Sequence, residues 1–199
     1  MRVFDAFSPL QNTFLTDYFT VRARALSSLI SPFLCIVGCF VLGFILDARG
    51  YSQRHRAWLG YGVVLISCGV VHCWQLSNSA HLIQHPRGVI DWSDGVWAKN
   101  FMPYFLINTT GPMGQSYGFW LISCFNATLQ GNGRMAGVFR AIEAAGQGVS
   151  YGLMSQDGWN PIVGFITNFA LFLLMALPLA YVVKTVGSES KEQGEPQEV

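Results

Sequence analysis

The chain has 199 residues, 51% of them hydrophobic and only 12% charged, with a net charge of +1 and a mean hydropathy of +0.35. A soluble globular domain carries about 25% charged residues, so this composition excludes an ordinary soluble domain and points to a polytopic membrane protein. With no Lys/Arg cluster and a charge near zero, nothing supports nucleic-acid binding.

In chain order, residues 1–24 form a polar, interfacial N-terminal segment without a secretory signal. Its end, Phe19 to Leu26 (FTVRARAL), leads amphipathically into the first span, with Arg22 and Arg24 placed to snorkel. Five spans are expected, at about 25–46, 57–76, 100–126, 135–155 and 161–183, together forming a transmembrane bundle over 25–183. The first contains Pro32, Gly38 and Gly43, which membrane helices tolerate where neighbours satisfy the freed backbone. A basic loop, Gln53-Arg54-His55-Arg56, precedes the second span, near whose end lies His72, read as a packing or interface histidine. Ser77 to Lys99 reads as a long polar loop, with Trp92 and Trp97 as interfacial anchors. The third span is interrupted in its middle by Asn108-Thr109-Thr110-Gly111-Pro112-Met113-Gly114-Gln115, where the Gly-Pro step is expected to break the helix. Gly131-Asn132-Gly133 is expected to be a tight turn. The last span starts at Pro161 and holds one strongly polar residue, Asn168. Residues 184–199 should be a disordered cytoplasmic tail.

The fourth span carries the most information. Arg134 to Met154 is long enough to cross a bilayer yet contains Arg140, Glu143 and Gln147. An ionised group near a membrane helix centre costs about 2.5–3.5 kcal/mol on insertion scales, so such residues face a protein interior or a water-filled path. Arg140 and Glu143, three apart, are neighbours on the helix; they serve as a structural pair or as a substrate or proton site. Small residues four apart, Gly137/Ala141/Ala145 and Ala144/Gly148/Gly152, are expected to pack the helix tightly against others.

An odd span count puts the termini on opposite sides. Arg49, Arg54, Arg56, Arg134 and Lys184 then share a face, which the positive-inside rule makes cytoplasmic. Asn108-Thr109-Thr110 and Asn126-Ala127-Thr128 fit the glycosylation acceptor pattern, but the first lies in a span and the second near its cytoplasmic end, so neither is expected to be modified. At the end of the first span, Gly43, Asp47 and Arg49 are spaced so that one carboxylate can hold an arginine and neighbouring helix ends, a conformational clamp; the alternative is an ordinary polar cap. No nucleophile–base set, phosphate loop, dinucleotide fingerprint or metal-ligand spacing is present in the sequence, so no enzyme activity, cofactor or metal is expected. The five cysteines read as buried thiols.

The stretches Phe19–Leu26, Gly43–Gly50, Asp91-Trp92 and, most strongly, RMAGVFRAIEAAGQGVSYGL (134–153) resemble the fungal uncoordinated-93-like branch of the major facilitator superfamily. The resemblance covers about residues 19–183. It implies an all-α polytopic bundle, a partial major-facilitator fold in which this chain supplies helices eight to twelve of twelve. Gly43, Asp47 and Arg49 would be the second-half copy of the superfamily's cytoplasmic loop motif. The family pattern has an amide where this chain has Glu143, and the first six helices and the seventh lie outside this sequence. The implied function is secondary transport of a small solute or ion by alternating access, with Asn108, Gln115, Arg140, Glu143 and Gln147 as the polar pathway. The alternatives are a non-transporting membrane subunit that regulates or traffics a partner, and a truncated fragment without function. Expected partners are the lipid bilayer, a small solute or ion, and either another membrane protein or the missing N-terminal half. The sequence names neither the substrate nor the membrane.

Overall fold

Helix starts are written in short polar side chains. Thr20, Ser52 and Asn160 each hold extended backbone and accept from an amide in the first helical turn: Ala23 N at 3.2 Å, His55 N at 3.3 Å and Ile162 N at 3.0 Å. Pro161 adds the fixed φ that suits a first helical position. The computed structural model describes residues 14–85, 88–125, 128–154 and 160–186. Five long helices follow one another: α1 Val21–Leu46, α2 Gln53–Gln84, α3 Trp97–Phe125, α4 Leu129–Met154 and α5 Pro161–Thr185. A short helical turn at 14–18 precedes them. The all-helical membrane bundle expected from composition is the observed architecture.

α1, α2 and α5 are long and apolar enough to cross a membrane. Their outward faces are hydrocarbon: Phe33, Phe40 and Phe44 on α1 and Leu174, Leu177 and Tyr181 on α5 are exposed. α3 and α4, at 29 and 26 residues, match them in length but lack a membrane-length stretch as apolar. α3 owes its polarity to its place. It lies between α1 and α2, with Tyr104, Ile107 and Tyr117 almost wholly buried. The close approach depends on two glycines. A Cβ at Gly38 would stand 2.8 Å from Met113 Sδ and 2.9 Å from Thr109 Cγ2; one at Gly60 would stand 2.7 Å from both Leu46 Cδ2 and Tyr117 Cε2. Tyr117 is fixed there by its hydroxyl, which donates to Ala57 O at 2.7 Å.

Several boundaries differ from expectation. α2 runs on to Gln84, through residues read as loop, because Gln75, Asn78, Ser79 and Leu82 recur at helical spacing and all face inward. Asn78 Nδ2 donates to Asn100 O at 2.7 Å, and Ser79 Oγ bonds Tyr104 Oη at 2.9 Å. α3 is continuous through Gly111-Pro112, since packing on both sides holds the helix where one amide is missing. Gly131-Asn132-Gly133 lies inside α4, whose first turn is started by Thr128: its Oγ1 accepts from Gly131 N at 3.2 Å. Among the described residues, no neighbouring helix packs closely on the rows of small residues of α4. The space a Cβ would take at Gly137, Gly146 and Gly148 is open, and Ala141, Ala144 and Ala145 are exposed. The tail expected beyond the last helix lies, from 187 on, outside the described residues.

One end of the bundle is closed by the N-terminal segment. Phe14 packs its ring at 5.5 Å from Tyr104 and 5.4 Å from Phe165, and Phe19 meets Phe101 at 4.9 Å. Backbone bonds from Thr20 N to Ile90 O and Ile90 N to Tyr18 O pair this segment with the α2–α3 loop. The Thr20 hydroxyl donates to Asp91, which also accepts from Ser93 Oγ. The Thr20 bond above all holds the Asp91 carboxyl below its ordinary value of 3.8.

Two outcomes test this packing. Gly60→Ala should destabilise by about 1–3 kcal/mol through overpacking against Tyr117, whereas Gly62→Ala, with open space beyond it, should be neutral or gain up to about 1 kcal/mol; thermal unfolding in detergent reads both. The Asp91 contact stabilises above pH 3.8 and is lost as pH falls through the lowered folded value. Amide-exchange protection at Thr20 and Ile90 should therefore drop on acidification below that point, and Asp91→Ala should show low protection already at pH 5.

Candidate functional site

α4 has one buried position among its described residues, and a carboxylate occupies it. Glu143 is 5% exposed. Arg140, one helical turn earlier, donates from Nη1 to both carboxylate oxygens, at 3.2 and 3.1 Å. Gln115 of α3 reaches across and donates from Nε2 to Oε2 at 3.0 Å. The guanidinium lies 5.4 Å over the Phe119 ring, and Phe119 in turn meets Phe139 of α4 at 5.2 Å. Two residues of α3 four apart thus supply an amide and an aromatic face, and α4 supplies the ion pair.

The pair is asymmetric. Arg140's side chain is 53% exposed while Glu143's is 6% exposed, so the arginine lies at the surface of the bundle and the carboxylate faces α3. Such a carboxylate is held by two donors and remains one exposed side chain away from the surface. The arrangement can bind a cation, exchange a proton or orient a polar solute.

Three of the five expected pathway residues, Gln115, Arg140 and Glu143, therefore come together. Asn108 is exposed, seven residues before Gln115 and on the same face of α3 by helical spacing; Gln147 is half-buried, one turn after Glu143. α3 and α4 run antiparallel across a short connection, so both lie displaced from Glu143 toward the same end of the bundle. Gly43, Asp47 and Arg49 line an open groove of about 560 Å³ at the end of α1. Asp47 caps α1 through its backbone amide to Gly43 O at 2.8 Å, and Gly50 takes a φ of +105° as the chain turns. The arginine that holds the end of α1 is Arg56, whose Nη1 donates to Leu46 O at 2.9 Å.

A second polar pair sits deeper, between α2 and α5. His72 is 2% exposed and stacks on Phe172 at 5.2 Å and 11°. Its Nδ1 lies 2.8 Å from Cys68 O and its Nε2 lies 3.2 Å from Asn168 Nδ2. A carbonyl can only accept, so Nδ1 carries the hydrogen, leaving Nε2 to accept from the amide. The sequence displays both residues as polar exceptions in apolar spans but not that they meet. The Asn78–Asn100 and Ser79–Tyr104 contacts were hidden by reading that stretch as loop.

No protein-family model matches the chain, and no solved structure matches it. The chain is 32% identical over 177 residues to "Notoamide biosynthesis cluster protein O'" of Aspergillus versicolor, a match covering 88% of this chain and 38% of that protein. It is 23% identical over 145 residues to an UNC93-like protein of Schizosaccharomyces pombe, covering 70% and 29%. A protein of the same yeast named as an uncharacterized membrane protein is 25% identical over 171 residues, covering 81% and 34%. The chain thus spans roughly a third of the length of the curated relatives it matches. These distant homologues support an UNC93-like membrane family, and with the apolar helices they make this an integral membrane protein.

The buried pair yields a double-mutant test. His72→Phe keeps the stacked ring but takes away the acceptor for Asn168 Nδ2, and should cost about 1–3 kcal/mol. His72→Phe with Asn168→Leu should cost less than the sum of the single changes, by about 1 kcal/mol, in denaturation of the detergent-solubilised protein.

Proposed function

We propose that this chain forms the C-terminal part of a major-facilitator-type secondary transporter, moving a small solute or ion by alternating access. One observation carries the reading. The sole buried side chain of α4's described residues is a carboxylate, clasped by an amide from α3 and by a half-exposed arginine. A helix that only anchors or packs would bury carbon at that position, because an intramembrane ionisable group is costly and marks a pathway or relay by default. Glu143 is the group that takes up cation, proton or polar solute, Arg140 and Gln115 hold it, and Asn108 and Gln147 extend the polar path. Gly43, Asp47 and Arg49, at the end of α1, act as the conformational clamp. Two bundles rocking about a midplane site are the general mechanism of such transporters, and this chain supplies five of the six helices of one of them.

A second reading is a non-transporting subunit of the UNC93-like type that binds another membrane protein. The open small-residue faces of α4 favour it, since close helix packing in lipid uses such surfaces.

Proteoliposomes that hold the chain together with the first half of such a transporter, loaded with a pH-sensitive dye, separate the two. Under the transport reading, adding cargo from a panel of small organic solutes and ions moves protons, and Glu143→Gln cuts that flux at least tenfold while the protein elutes and melts as before. Silence of Glu143→Gln, with a stoichiometric membrane protein retained through purification, would establish the second reading instead.

A further inference from the structure

At the end of the bundle away from the Arg49–Arg56 turn, α2 and α3 enclose a pocket of about 240 Å³. Trp74, Ser77, Asn78 and His81 line it from α2, spaced three and four apart and so on one helix face. Lys99 and Asn100 line it from α3. Lys99 and His81 are both exposed at its rim, and no acid is among the described residues of its lining. Asp94, the acid nearest to Lys99 in sequence, is engaged in the preceding loop, where its Oδ2 accepts from Asp91 N at 2.7 Å.

The floor is of another kind. Asn78 and Asn100 are only 7% and 6% exposed. A helix end that merely meets water has no need to bury two amides. Asn78 Nδ2 donates to Asn100 O at 2.7 Å, and Asn100 Nδ2 donates to Val96 O at 3.0 Å. Both nitrogens are thus committed to backbone carbonyls, and what each amide has left to offer is an oxygen. The pocket therefore sets a cation and a second donor at the rim above acceptors at the floor. Its volume falls below the about 300–1,000 Å³ of sites for drug-sized molecules, which suits a solute of a few carbons.

We propose that this pocket binds one small α-hydroxy carboxylate. The carboxylate lies between the Lys99 ammonium and the His81 imidazole, and the neighbouring hydroxyl donates to an amide oxygen at the floor. Lys99 supplies the charge that selects an anion; the asparagines supply the acceptors that select an anion carrying its own donor. At about 1.5 Å of rise per residue, Asn100 lies about 22 Å from Gln115 along α3. The site is therefore separate from Glu143 and holds whether or not the protein transports.

Scintillation-proximity binding of radiolabelled lactate to the purified full chain in phosphatidylcholine nanodiscs tests this. Lactate should bind saturably. Unlabelled lactate should displace the label at least fivefold better than propionate, which lacks the hydroxyl, and at least tenfold better than propylene glycol, which lacks the charge. Lys99→Met should weaken binding at least tenfold, as expected for loss of a charged hydrogen bond, and Lys99→Arg should stay within about threefold of the wild type, since it keeps that bond. Lys184→Met, which removes an exposed cation at the other end of the bundle, should change nothing. Nanodiscs that include phosphatidylserine should bind lactate equally well. Absence of saturable binding, equal displacement by propionate, or full affinity in Lys99→Met would each overturn the proposal. So would displacement by inorganic phosphate as effective as by lactate, which would show a bare anion site, or loss of lactate binding beside phosphatidylserine, which would assign the pocket to a lipid headgroup.

Discussion

The bundle depends on how closely α1 and α2 can approach α3. In hydrocarbon no water is present to satisfy a stray backbone group, and α3 carries Pro103, Pro112 and a run of polar side chains. Such a helix survives only when protein surrounds it. Gly38 and Gly60 make this possible by removing the atoms that would hold the neighbours away. Once the helices are close, polar side chains find partners across the gap: Tyr117 on Ala57 O, Cys68 Sγ toward Thr110 O, Asn78 on Asn100 O. The apolar surfaces of α1 and α5 are then free to meet lipid.

The interhelical polar contacts differ in openness. His72–Asn168 and Ser79–Tyr104 are enclosed, and their side chains are exposed by only a few per cent. Gln115–Glu143 is closed on the glutamate side and open at Arg140. Enclosed contacts fix helix register, and breaking one exposes an unsatisfied group to a low-dielectric interior. In the open one Arg140 can leave for another partner while Gln115 still holds the carboxylate, which makes it, rather than the histidine, the candidate for cargo. α4 fits this division, since beyond Phe139 and the ion pair its small-residue rows stand open among the described residues.

Much of this was legible beforehand, and the failures have physical causes. Spans such as α1 and α5 announce themselves because lipid demands unbroken apolarity. The polar residues of α4 announced themselves because they violate that demand, and Gln115, Arg140 and Glu143 do converge. The tail of α2 was missed because Gln75, Asn78, Ser79 and Leu82 face a protein neighbour, where polar side chains are permitted and only their spacing signals a helix. The Gly-Pro step in α3 was read as a break because sequence shows the lost amide but not the packing that compensates. The small residues that bring helices together proved to be single glycines on α1 and α2, whereas the conspicuous rows on α4 lie open. A row of small residues states what a surface can accept, and the partner's identity is written elsewhere.

The seclusion of α3 bears on how membrane topology would be scored for this protein. Counting only the plainly apolar helices gives three crossings, and counting every long helix gives five. Both numbers are odd, so reporters fused at the two ends return opposite sides in either case. The segment between Phe125 and Leu129 is where the two schemes part company, because it changes compartment with α3 and α4. Nature has already placed a marker there. The Asn126-Ala127-Thr128 acceptor would be within reach of the glycosylation machinery in a three-crossing protein and sealed from it in a five-crossing one, so a single sugar reports on a helix that no hydropathy window sees.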